Sequence, residues 1–226
     1  MAGIRTRLLE WIELPERRFA ARSRLLAPWH RRRFAAFGSG VLFVRPRLVK
    51  GGRKIAIGDR CIVYPDCSLS VEQEAWKLPG ARLTFGVGVV LQSNVTITCA
   101  ERIELDDYAA IGANSLISDN DHTIDGSAET ILATPVVSAP VRIGRGVWVG
   151  HNCSIVKGAQ IGDYSVIGAN SVVRGEIPPY SIAVGAPARV VGRVPHPDAA
   201  EPGAAAAAPR PSAPPPPDAA EPARGA

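Results

Sequence analysis

From Ile143 to Val173 an aliphatic residue returns at every sixth position: Ile143, Val149, Ile155, Ile161, Ile167 and Val173. Four residues after each stands a mostly small side chain, at Val147, Cys153, Ala159, Ser165, Ser171 and Ile177. Glycine directly follows the aliphatic residue at Gly144, Gly150, Gly162 and Gly168. A helix repeats near 3.6 residues and a simple strand near 2, so neither accounts for a period of six. That period fits short parallel strands wound into a coil, each face turning a corner before the next hexad begins.

The same phase runs back toward the N-terminus. Ile57 to Ile62 forms a hexad that Val63 and Leu69 continue; residues 71–82 interrupt it, and Phe85, Leu91, Ile97 and Ile103 resume it. A two-residue shift then gives Leu105, Ile111 and Ile117. Asp59, Asp66, Asn94, Asp107, Asn114, Asn152, Asp163 and Asn170 fall at the expected corners, where tight turns favour Asn and Asp. From 118 to 140 the phase disappears. An excursion of that length inside a compact domain is uncommon and often functional. Three regions follow: an amphipathic helical extension over 1–36, a coil domain over 37–194 carrying the 118–140 excursion, and a tail over 195–226. The tail is rich in Pro and Ala with almost no large apolar side chains, a composition that predicts disorder. Residues 180–194 read as a short closing segment.

In the extension, Ile4, Leu8, Trp11 and Ile12 have helical spacing, and Pro15 and Pro28 are expected to break the helix into pieces. Two readings stand: a cap over the open end of the coil stack, or an interfacial helix drawn to anionic lipid by its arginines. The chain carries a net charge of +5, and residues 1–33 alone hold nine Arg against three Glu. The remainder is near neutral, without the basic stripe expected of a nucleic-acid-binding domain. No apolar run approaches the roughly 18 residues of a membrane span and no signal-peptide pattern opens the chain, so a cytoplasmic protein is expected, with peripheral contact to the inner face of the membrane left open. Cys61, Cys67, Cys99 and Cys153 include no CxxC pair, and Cys61 and Cys67, one hexad apart, read as small inward-facing hydrophobes.

The run Val147-Trp148-Val149-Gly150 through Ser171-Val172-Val173, then Ile177-Pro178-Pro179-Tyr180-Ser181 and Gly185-Ala186-Pro187-Ala188-Arg189, resembles the hexapeptide-repeat acetyltransferases, most nearly the maltose/galactoside branch and related sugar O-acetyltransferases of surface-polysaccharide pathways. The resemblance covers about residues 55–193. It implies an all-β solenoid, a left-handed parallel β-helix, assembled as a homotrimer with acetyl-CoA in a groove between subunits. It also implies that Trp148, Gly150, His151 and Ala169 line the cofactor groove and that Arg189 meets the coenzyme phosphates. The family often has Thr-Lys after Ser-Val-Val, where this chain has Arg174-Gly175; Arg174 is the candidate replacement for that lysine. Asn94 aligns with an acceptor-contacting asparagine, although a corner role explains it equally.

His122 is the candidate general base. Acyl transfer to a hydroxyl requires removal of its proton, and an imidazole with a pKa near 6.5 suits that task at neutral pH. The resemblance implies the same role, because the family's base opens this loop. Asp119 and Asp121 are the candidate carboxylates to hold the other ring nitrogen. Cys153 as a nucleophile is disfavoured by its inward position. A zinc site needs three histidines; His30 and His196 lie far from His122 and His151 in sequence, so no metal is expected. The expected activity is acetyl-CoA-dependent O-acetylation of a sugar or glycan-precursor hydroxyl by direct transfer in a ternary complex. Amino-sugar N-acetylation, or a non-catalytic coil used for assembly or membrane docking, remain alternatives.

Overall fold

The hexad period becomes a three-sided coil. The structure, a computed structural model, describes residues 15–72, 82–126 and 129–195, with side chains described from residue 21. Three sheets of seven, eight and six strands form the faces; six coils each give one strand to each face in turn, the last coil reaches only two faces, and the eighth strand of the second sheet is the closing strand Arg189–Arg193. One coil runs Ile103–Leu105, Ala110–Ile111 and Leu116–Ser118. These strands pair in parallel with Val141–Ile143, Trp148–Val149 and Ser154–Ile155 of the next coil. Register matches equivalent positions, so Ile111, Val149 and Ile167 stack in one inward column. All six aliphatic residues of the 143–173 repeat are fully buried. Each such side chain contributes about 1.5–3 kcal/mol of burial.

The corners are where sequence and backbone meet most closely. Asp66, Asn94, Asn114, Asn152 and Asn170 occupy the turn from the second face to the third, all with positive φ between 56° and 65°. Asn and Asp tolerate this left-handed conformation better than other side-chain-bearing residues. At the turn from first face to second, Asp59, Asp107 and Asp163 accept the backbone N–H of Ser39, Val87 and Arg145 in the preceding coil. The predicted corner residues therefore stitch neighbouring coils together.

At the N-terminal end, the helix Pro15–Arg33 is continuous through Pro28, so the expected break there does not occur. Arg24, the residue four before Pro28, and Pro28 itself are both exposed, which puts the missing hydrogen bond on the solvent side. Packing of the opposite face holds the helix. Ser23, His30 and Phe34 are buried. His30 stacks on Phe37 at 5.1 Å and meets Phe43 edge-on at 5.1 Å, and Ser23 Oγ accepts the Phe43 N–H at 3.1 Å. At the other end, Arg189–Arg193 folds back antiparallel on Ser181–Val184. The spacing of Ile4 to Ile12, most of the 71–82 interruption and the Pro/Ala-rich tail from 196 onward lie outside the described residues.

Candidate active site

Where the hexads fail, the chain leaves the coil as a hairpin. Asn120–His122 pairs antiparallel with Val136–Ser138, His122 standing opposite Val136. The foot of this hairpin is Asp119, which is completely buried. Its carboxylate accepts three consecutive backbone N–H groups of the preceding coil's corner: Ala100 at 2.7 Å, Glu101 at 2.8 Å and Arg102 at 2.7 Å. The Asn120 side-chain amide donates to it as well, at 2.9 Å. Ala139 N–H closes the hairpin base onto the Asp119 carbonyl, and Ser138 Oγ donates to the Glu101 carboxylate.

His122 is half-buried, and its Nδ1 lies 3.1 Å from the carbonyl oxygen of Thr134. A carbonyl only accepts, so this contact puts the ring proton on Nδ1 and leaves the Nε2 lone pair available. Thr134 is itself fixed. Its hydroxyl lies 2.7 Å from the Ile131 carbonyl and 2.8 Å from that of Thr123, donating across the turn. Neither expected carboxylate orients the imidazole. Asp119 is committed to the backbone of residues 100–102, and Asp121 accepts the backbone N–H of His122 at 2.9 Å with its other oxygen 3.9 Å from Lys157 Nζ. The orienting group is a main-chain carbonyl, which no side-chain pattern announces. Lys157, which sequence reasoning missed, sits on the same corner one coil further on.

The remaining candidates divide between two edges of the coil. Trp148 points outward from the second face, 58% exposed, between Ala110 and Val166. Gly150 and His151 continue from that strand into the turn toward the third face, and Ala169 holds the equivalent turn of the next coil, where the His151 carbonyl accepts the Asn170 N–H at 2.9 Å. A Cβ on Gly150 would come within 2.7 Å of the Ala169 nitrogen, so coil spacing alone requires glycine there. Arg174 is exposed on the other edge, at the corner following the third face, two coils beyond the start of the hairpin. Arg189 is exposed on the closing strand, with its guanidinium donating to the Ala188 carbonyl. Asn94 holds a left-handed corner and donates to the Asn114 side chain, which accounts for its position without an acceptor. Cys153 is buried, and burial pushes its thiol pKa up, away from the thiolate a nucleophile needs. Among the described residues, no three His, Cys, Asp or Glu side chains converge as a metal site.

A profile of the bacterial transferase hexapeptide, six repeats, matches residues 140–175. A probable acetyltransferase of Mycobacterium tuberculosis is 42% identical over 109 residues, which cover 48% of this chain and 36% of that protein. The chain thus spans about a third of that relative's length. A putative lipopolysaccharide biosynthesis O-acetyl transferase of Escherichia coli, WbbJ, is 30% identical over 151 residues, covering 60% of this chain and 77% of that one. Among solved structures, galactoside acetyltransferase in complex with coenzyme A superposes with a TM-score of 0.54 at 26% identity, over 74% of this chain and 69% of that one. With hexads in register along three parallel faces and a relative matched over most of its length, the chain belongs to the bacterial hexapeptide-repeat transferase family.

Proposed function

We propose that this protein is an acetyl-CoA-dependent O-acetyltransferase acting on a hydroxyl of a sugar or surface-polysaccharide precursor, with His122 as general base. The carrying observation is the imidazole held through Nδ1 by the Thr134 carbonyl, with Nε2 free to take a proton. The acceptor oxygen attacks the thioester carbonyl carbon while Nε2 removes the hydroxyl proton. The carbon–sulfur bond then breaks, and the coenzyme leaves as a thiol with the proton returned by the imidazolium. Transfer is direct, without an acyl-enzyme. Asp119 positions the hairpin that carries the base, and Asp121 steadies its backbone. The cytoplasm, where acetyl-CoA is available, is the site of action.

In this reading three left-handed coils assemble as a trimer, with acetyl-CoA in the grooves between them. Support comes from the division of the candidates. Trp148, Gly150, His151 and Ala169 follow one edge of the coil, while His122, Lys157 and Arg174 follow another. A second copy brings the complementary edge to each. The two acetyltransferase relatives support the acyl group and, in the case of WbbJ, the glycan acceptor.

His122→Ala tests the base. Its kcat falls by about 10²- to 10⁴-fold, the usual contribution of a positioned acid–base group, while acetyl-CoA affinity measured by calorimetry is unchanged. Full turnover in the variant removes His122 from the mechanism. A screen of hydroxyl and amine acceptors with detection of released thiol separates O- from N-acetylation, and preferential turnover of amines overturns the hydroxyl assignment.

A further inference from the structure

The inward line of the N-terminal helix runs through buried Ser23, partly buried Ala27 and buried His30, and continues at Phe34 just past the helix end, at steps of four, three and four residues. Side chains half a turn away point off the end of the coil stack. That outer face carries Leu25, 79% exposed, and Trp29, 51% exposed, at i and i+4, with Arg22, Arg32 and Arg33 around them. The Arg33 guanidinium lies 4.4 Å over the Trp29 ring. From Arg17 to Arg33 the sequence holds seven arginines and no acidic residue. Beside the helix end, a cleft of about 470 Å³ opens between Arg32 and Arg33 on one side and the turn Gly51, Gly52, Arg53 and Lys54 on the other. Among the described residues, Arg32, Arg33 and Arg53 have no ion-pair partner.

We propose that this end of the protein docks on a bilayer carrying anionic phospholipid, with Leu25 and Trp29 in the headgroup boundary and the arginine cleft receiving a lipid phosphate. The two parts of the surface select the same partner. Exposed Leu and Trp at helical spacing gain by leaving water, which a phosphate backbone alone does not offer them. An indole flanked by arginines suits the interface between headgroups and acyl chains. The cationic cleft matches the negative headgroups with planar donors suited to phosphate oxygens. No helix among the described residues is long and apolar enough to cross a membrane, and the proposed contact is a peripheral one. The enzyme then works beside the surface that would carry a lipid-linked acceptor, although docking does not depend on the acyl-transfer reading.

Co-sedimentation of the full chain with phosphatidylcholine vesicles, with and without phosphatidylglycerol, tests this. Binding is expected only to the anionic vesicles and is weakened by salt. Each basic residue near such a surface contributes about fivefold, so Arg32→Gln with Arg53→Gln weakens binding roughly thirtyfold. Leu25→Ser with Trp29→Ser removes the apolar part and also releases the protein. Both pairs are surface changes, and retained acetyl-CoA binding verifies their fold. Equal binding to neutral and anionic vesicles, no binding to either, or binding unaffected by both pairs overturns the proposal. So does binding of a single-stranded oligonucleotide through Arg32 and Arg53 without vesicle binding, which assigns the cleft to another polyanion.

Discussion

Replacing Asp119 with Ala strips the hairpin of its foot. Three backbone N–H groups, those of Ala100, Glu101 and Arg102, lose a charged acceptor held at 2.7–2.8 Å in a fully buried position. A buried donor left unpaired costs about 1–3 kcal/mol, and the smaller alanine admits water to some of them. The expected loss is therefore about 3–5 kcal/mol, large for a single substitution. Asp119→Asn separates charge from volume. It keeps the shape and one acceptor oxygen, which can still take the Glu101 and Arg102 N–H groups, but turns an amide donor toward the Ala100 N–H, so part of the loss persists. Urea denaturation of both variants beside the wild type gives the magnitude, and hydrogen exchange at 119–122 locates it. Because Asp119 does not touch the imidazole, the residual activity keeps the wild-type pH profile. A loss below about 1 kcal/mol refutes the argument. A displaced pH profile with intact stability also refutes it, and restores Asp119 as the partner of His122.

Two further outcomes follow from the packing. His30 has its pKa lowered by burial first and by Arg33 second, so the folded state binds fewer protons than the unfolded chain. Stability of the docked helix is complete above the ordinary value of 6.5 and falls as pH drops below it toward the folded value; a thermal melt series shows this, and His30→Phe flattens the dependence. Gly150→Ala forces a Cβ within 2.7 Å of the Ala169 backbone nitrogen and costs about 1–3 kcal/mol by overpacking; an unchanged melting temperature shows that the coils separate there without cost.

The stacked core was legible because a six-residue step leaves a mark at every coil. The six-residue step from Ile143 to Val173 announces the coil by spacing alone, and the corner Asn and Asp residues follow from turn chemistry. The hairpin was visible only as lost phase. Its chemistry was half legible. His122 stood out by type, but its partner is the Thr134 carbonyl, twelve residues away and identical in kind to every other carbonyl in the chain. Adjacency in the Asp119-Asn120-Asp121-His122 run misled for a related reason. The chain leaves the coil corner at Asp119 and enters a strand at Asn120, and successive strand residues face opposite sides. Asp119 is thus turned into the coil, away from the imidazole. Pro28 shows the converse failure, in which a strong local breaker yields to an apolar face already anchored by His30 and Phe34.

Both ends of the excursion are fastened independently of what lies between them. Asp119 grips residues 100–102, Ala139 closes on the Asp119 carbonyl, and Ser138 ties to Glu101. The segment from 123 to 133, between the His122 and Thr134 contact, is consequently an exchangeable cassette. Its length and side chains can be rewritten while the column of coils beneath keeps its spacing.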